Sequence, residues 1–403
     1  MTMQLPTDAK PEIADTPLLV AGLRERLRTV LPRIAANAEQ GERDRRIPAE
    51  NIALLQQVGF TRAFQPRRYG GLEMRVEDYG HCLLDLAEAC GPTAWVGGLL
   101  AQHVHALALF SREMQDELWA DTPDSLVASS VAPVGKSENV PGGIMLSGKF
   151  GFSSGCDHAD WFMLGFVRPG LEGVAARHYA IVPKRDVTIV DDWFTEGLRA
   201  TGSKTLLVDN VFVPEHRIEG IIALNSGKAK GFGSNDSPIY NAAFGPHFSI
   251  GFAAVAIGMT RRLADLYAEK ARSRIKVYTG MAATARAPTA MRLGRGVHGA
   301  AAALAFLAKD WRDIDARSDS GIFPNARELS AWRTNQAFAV RLTIEAADAL
   351  FEGSGGSAWF SSNEMQRLWR NIRMCGSHAG TDYDTCSEIY GRHLLGLELD
   401  PTL

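Results

Sequence analysis

Between two apolar runs in KFGFSSGCDHADWFMLGF (residues 149–166) the chain places Ser153, Ser154, Asp157 and His158. A tight turn asks only for a glycine and one polar residue. Two hydroxyls and an imidazole beside aromatic surface are groups that can hold a proton or a lone pair at a defined atom. Two more stretches carry histidine. In HVH (103–105) the histidines lie two apart, which on a helix turns their side chains about 200° from each other. They therefore cannot share one metal ion. His103 falls on a face with Val96, Leu99, Leu100, Val104 and Leu107, a placement that suits a satisfied core histidine or a buried proton acceptor. In SHAGTDYDT (377–385), Thr381 or Asp382 reads as a helix cap and Asp384 as an acid suited to the first turn. His378 has no such explanation.

Other signatures are weaker. GRGVHG (294–299) matches a dinucleotide fingerprint, but no strand precedes it, and a small-residue helix surface explains it better. The glycines of LFEGSGGSAWF (350–360) suit a helix C-terminus or a close approach to a phosphate or ring. No GxSxG, HExxH or P-loop occurs, and no metal site is expected.

These groups must be positioned by three zones. Residues 18–122 read as a helical domain, broken at Gly91-Pro92. Residues 123–222 hold short β-branched and aromatic runs separated by Gly, Pro and Asp, as in an antiparallel sheet or small barrel. Residues 223–403 open with a Gly/Ser/Asn-rich connection, long enough to be mobile or functional. They continue as long amphipathic helices, which predict a bundle. With 403 residues, 46% hydrophobic and a net charge of −3, the composition is that of a soluble globular protein without a nucleic-acid signature. The longest apolar stretch is about half of a membrane span. Five cysteines form no disulfide framework, and the N-terminal stretch reads as a leader without a signal-peptide core, so reduced thiols in the cytoplasm are expected.

Three separated stretches resemble the acyl-CoA dehydrogenase fold: RIPAENIALLQQVGFTRAFQPRRYGG (46–71), SGKFGFSSGCDHADWFMLGF (147–166) and TEGLRATGSKTLLVDNVFVPEH (195–216). The resemblance implies an α+β protein with an N-terminal helical domain, a central antiparallel β-barrel or sandwich, and a C-terminal four-helix bundle. Where many dehydrogenases carry a glutamate base, this chain has His378-Ala379-Gly380-Thr381, and Ala379 cannot accept a proton. The FSSG turn and the C-terminal histidine are closer to the flavin-dependent two-component monooxygenases of this fold, of the p-hydroxyphenylacetate and phenolic secosteroid hydroxylase type. An acyl-CoA dehydrogenase-type FAD enzyme and an N- or S-oxygenase remain the alternatives.

That resemblance implies an oxygenase component that takes reduced FMN or FADH2 from a separate NAD(P)H:flavin reductase. With O2 it would form a C4a-hydroperoxyflavin and hydroxylate a small aromatic substrate. It implies catalytic roles for His103, Ser129, Ser154 and His378. His103 would accept the substrate proton, with Ser129 beside it. Ser154 would face flavin N5, although which of Ser153 and Ser154 does so stays open. His378 would close the other side. Phe152, Ser153 and Trp161 would line the flavin, and Trp161, Phe162 and Phe152 would form apolar walls that exclude water. Arg272 and Arg274 would meet its phosphate, near Gly355 and Gly356 of a neighbouring copy in a homotetramer.

Overall fold

The computed structural model describes residues 16–398, so most of the N-terminal leader lies outside it. Helices α1 (Thr16–Ala36), α2 (Ala38–Asp44), α3 (Ala49–Gln57), α4 (Val76–Ala89), α5 (Gly91–Leu107) and α6 (Arg112–Trp119) come first. Extended Cys90 separates α4 from α5, and Pro92 sits in the first turn of α5, where its missing N–H costs nothing. Strands β1 (Val127–Val140), β2 (Gly143–Ser153), β3 (Trp161–Val167), β4 (Arg177–Pro183), β5 (Thr188–Val190), β6 (Lys204–Pro214) and β7 (Ile218–Gly220) follow. The short α7 (Ile221–Leu224) leads to α8 (Phe244–Ser273), α9 (Ala287–Ser320), α10 (Ala326–Gly353), α11 (Glu364–Cys375) and α12 (Tyr383–Leu395). No helix among the described residues is long and apolar enough to cross a membrane.

The strands form one sheet in the order β5-β6-β2-β1-β3-β4-β7. This corrects the expected barrel: β5 and β7, three residues each, end the ladder at opposite edges and the sheet stays open. Nor is it wholly antiparallel, because β1 and β3 run parallel. Alternation along the strands gives two buried faces, as in a sandwich. Val127, Met163 and Ile181 join the helical core, while Ile144, Phe150, Phe162 and Phe166 form a second core. Phe162 therefore points away from the face that carries Trp161 and cannot line a site there.

Contacts at the helix ends set the bundle direction. Tyr267 near the end of α8 donates to Thr289 of α9, and Arg274, just past α8, donates to the Gly353 carbonyl that closes α10. Arg262 pairs with Glu364 at the start of α11, so α8 to α11 run up, down, up, down. The fingerprint-like glycines lie inside α9, where two of them are packing positions: a Cβ would stand 2.7 Å from Leu350 at Gly296 and 3.1 Å from Ala346 at Gly299. The glycine-rich connection is pinned to the end of α5: Gly231 N–H donates to the Leu109 carbonyl, and the Asn235 amide to Ala108.

Close approach joins the helical layers. A Cβ at Gly258 of α8 would stand 2.6 Å from Ala87 Cβ and 2.7 Å from the Leu84 carbonyl oxygen of α4. Gly258→Val is expected to lower the unfolding free energy by about 1–3 kcal/mol through overpacking. The denaturant midpoint measures it, and a midpoint unchanged from wild type would show that the layers are not held this closely.

Candidate active site

Helix α5 and strand β1 build one pole. His103 is buried, and its Nδ1 lies 2.7 Å from the Val127 carbonyl oxygen. A carbonyl only accepts, so Nδ1 carries the proton and Nε2 of the neutral ring is an acceptor. Ser129, two residues along β1, places its hydroxyl 2.8 Å from that Nε2 and donates to it. Phe248 of α8 stacks on the imidazole, with centroids 5.8 Å apart.

The second pole lies two turns back along α5, about 12 Å away at 1.5 Å per residue. Here Trp95 Nε1–H donates to Ser154 Oγ at 3.2 Å. Ser154 also bonds Ser203 at 2.7 Å, and Ser203 bonds Thr201 at 2.6 Å. The Trp95 ring packs on Phe252 (4.9 Å) and edge-on to His378 (5.7 Å), and Phe252 touches His378 at 4.1 Å. The Gly380 N–H donates to His378 Nδ1, so the proton of the neutral ring sits on Nε2. Arg333 of α10 anchors the same loop by donating to the Ala379 carbonyl.

One stripe bridges the poles. Phe244, Phe248 and Phe252, four residues apart on α8, touch in series at 5.3 and 5.8 Å. His103, Ser129, Ser154 and His378 are thus brought into one connected cluster. Sequence reasoning missed Trp95. Its signal would have been the indole N–H, a donor that needs a partner when buried.

The remaining candidates lie differently. Ser153 is fully buried with no hydrogen-bond partner for its hydroxyl, so of the two serines Ser154 is the one joined to the cluster. Phe152 takes φ 61°, unusual for a bulky side chain, and turns its ring outward, 78% exposed, against Trp193. Trp161 shares the sheet face of Ser129, but its ring is covered by the Arg217 guanidinium at 5.1 Å. Asp157 pairs with Lys204, and His158 bonds the Ile47 carbonyl, so both hold the turn in place.

Arg272 is exposed, and Arg274 packs on Gly355 of its own chain. Both lie about 30 Å along α8 from Phe252, at 1.5 Å per residue. Arg272, Arg274, Gly355 and Gly356 therefore cannot reach a flavin lying on the Ser154–His378 pole of the same chain.

Residues 19–121 match the model of the acyl-CoA dehydrogenase N-terminal domain, and residues 250–383 that of its C-terminal domain. The chain is 44% identical over 380 residues to the oxygenase component of p-hydroxyphenylacetate 3-hydroxylase from Acinetobacter baumannii, covering 94% of this chain and 90% of that protein. It is 32% identical to the flavin-dependent monooxygenase oxygenase subunit HsaA of Rhodococcus jostii, covering 94% and 100%. The chain belongs to the flavin-dependent monooxygenases of acyl-CoA dehydrogenase fold. The solved structure of XiaF from Streptomyces sp., in complex with FADH2 and glycerol, superposes with a TM-score of 0.87 at 28% identity, covering 96% of this chain and 98% of that one.

In this monooxygenase both site histidines are uncharged. Burial pushes His103 and His378 down to about 4, against the ordinary value of about 6.5. The folded rings stay neutral where the unfolded rings take up protons. Their contribution to stability is therefore present above pH 6.5 and lost as pH falls toward 4. Thermal unfolding is expected to drop over that window, with a shallower slope in His103→Gln. An identical slope in the variant would show that His103 titrates alike in both states.

Proposed function

We propose that this chain is the oxygenase component of a two-component system that hydroxylates a small phenolic substrate. It would use O2 and reduced FMN or FADH2 delivered by a separate NAD(P)H:flavin reductase in the cytoplasm. The supporting observation is the pairing of two poles of opposite task on one buried helix. One is a neutral imidazole with an accepting Nε2. The other is a hydroxyl and an aromatic surface suited to a planar, N–H-bearing ring.

When bound, reduced flavin supplies the oxygen activation and transfer that no side chain can perform. The residues do the rest. Trp95, Phe252 and His378 offer the ring surfaces, and Ser154 Oγ offers a contact for N5. His378 presents its Nε2–H as a donor. The Phe244–Phe248–Phe252 stripe keeps water from the space between the poles. At the other pole Ser129 turns aside from His103, or shares its bond, so that Nε2 receives the phenol proton.

With the ring held near a pKa of about 4 by burial, His103 is a weak base before substrate binds. It takes the proton as the aromatic ring becomes the nucleophile, which is where proton transfer lowers the barrier. Arg272, Arg274, Gly355 and Gly356 would meet the flavin phosphate of a neighbouring copy, which calls for an oligomer, by the family resemblance a homotetramer. Phe152, Ser153 and Trp161 would act through the shape of the turn and strand that carry Ser154 and Ser129.

Anaerobic protein with reduced FMN, mixed with oxygen and a phenol, tests this by the ratio of hydroxylated product to hydrogen peroxide. Wild type is expected to give mainly product. His103→Ala is expected to cut hydroxylation by about 10²–10⁴-fold while oxygen consumption continues and appears as peroxide. Peroxide alone from wild type, formed at the rate of free reduced flavin, would refute the assignment.

A further inference from the structure

The hydrogen bonds beneath Ser154 run in one direction. Thr201 Oγ1 lies 2.8 Å from the Leu198 carbonyl oxygen, which only accepts, so Thr201 spends its proton there. Ser203, 2.6 Å from Thr201, must then donate to it. Ser154, 2.7 Å from Ser203, must in turn donate to Ser203. Trp95 Nε1–H fills one lone pair of Ser154 at 3.2 Å. Reversing the chain would set the Thr201 and Leu198 oxygens 2.8 Å apart with no proton between them.

All these groups are buried, with Thr201 1%, Ser203 5% and Ser154 8% exposed, so water is poorly placed to break the order. The segment is also fixed to the serine turn through Gly155 N–H, which donates to the Thr201 carbonyl at 3.0 Å. After these bonds, one capability is left at Ser154 Oγ: a single lone pair.

We infer that Ser203 and Thr201 are positioning residues that hold Ser154 as an obligate acceptor, so that the site selects reduced over oxidised flavin. The inference rests on the reading that Ser154 faces N5. Reduced flavin carries N5–H, a donor that matches the open lone pair. Oxidised flavin carries a bare N5, itself an acceptor, and two facing acceptors leave a desolvated polar pair unmatched. The redox state is thus recognised by proton direction, with no charged side chain at N5. The benefit for the cycle is direct, since spent flavin leaves and reduced flavin takes its place.

Anaerobic titration of the full-length protein with reduced FMN, and aerobic titration with oxidised FMN, gives the ratio of the two dissociation constants. In Ser203→Ala the Ser154 proton is released and can turn to a bare N5. The preference for reduced FMN is expected to fall by up to about tenfold, mainly because oxidised FMN binds more tightly. In Thr201→Val, Ser203 is free to donate to Ser154, which drives the Ser154 proton outward, and the fall should be at least as large. Thr201→Ser keeps the relay and should keep the wild-type ratio.

Merely structural damage would weaken both flavin states alike. Ratios unchanged in both Ser203→Ala and Thr201→Val, or equal weakening of both states, would overturn the inference. Ser154→Ala separates the two levels of the argument. If it abolishes the preference while the relay variants do not, only the relay fails. If Ser154→Ala leaves the preference intact, Ser154 does not face N5, and both readings fall.

Discussion

Helix α5 is buried along all seventeen of its residues, and the site depends on that burial. A helix with no solvent-facing side must find protein partners for each polar side chain it carries. The Gln102 amide meets the Phe248 carbonyl and the Gly251 N–H, which fixes the height of α8 against α5. On another side Gly155, at φ 74°, lets the serine turn come so near that a Cβ would stand 2.6 Å from Val96. Trp95 and His103 are thereby held between an aromatic helix and a hydroxyl-bearing turn.

Main-chain groups decide where the protons sit. The Val127 carbonyl assigns the His103 tautomer, the Gly380 N–H assigns that of His378, and the Leu198 carbonyl sets the order of three hydroxyls. None of these needs an ionised side chain, and among groups this buried an unpaired charge would be expensive. Donors and acceptors are laid out by main-chain groups already hydrogen-bonded in place, which is the arrangement preorganised electrostatics requires.

Much of this was legible in the residues. The order of helical, strand and helical zones followed from periodicity and turn chemistry, and the break read at Gly91-Pro92 is the first turn of α5, just past Cys90. The FSSG turn stood out because it carried more polar chemistry than a turn requires. Sheet closure was not legible, since it depends on how short the two edge strands are and on a parallel β1–β3 pairing between strands that are not consecutive. Ser203 and Thr201 were hidden for a related reason. They sit in an ordinary-looking RATGSK turn, and only the docking of that turn beneath Ser154, 49 residues earlier, reveals them. Helical spacing could place His103 on an apolar face but could not distinguish a core histidine from an acceptor. The carbonyl and hydroxyl at its two nitrogens show that both are satisfied, with Nε2 as the accepting atom.

Helix α8 also works as a ruler. Its thirty residues span about 45 Å, with the aromatic stripe at one end and the Lys270 and Arg274 cations at the other. Loops elsewhere can grow or shrink without disturbing the cluster. A single residue inserted in α8 would rotate everything beyond it by about 100° and shift it by about 1.5 Å, which uncouples one end from the other. The residue count of α8 is therefore constrained together with its Phe244–Phe248–Phe252 stripe and Gly258.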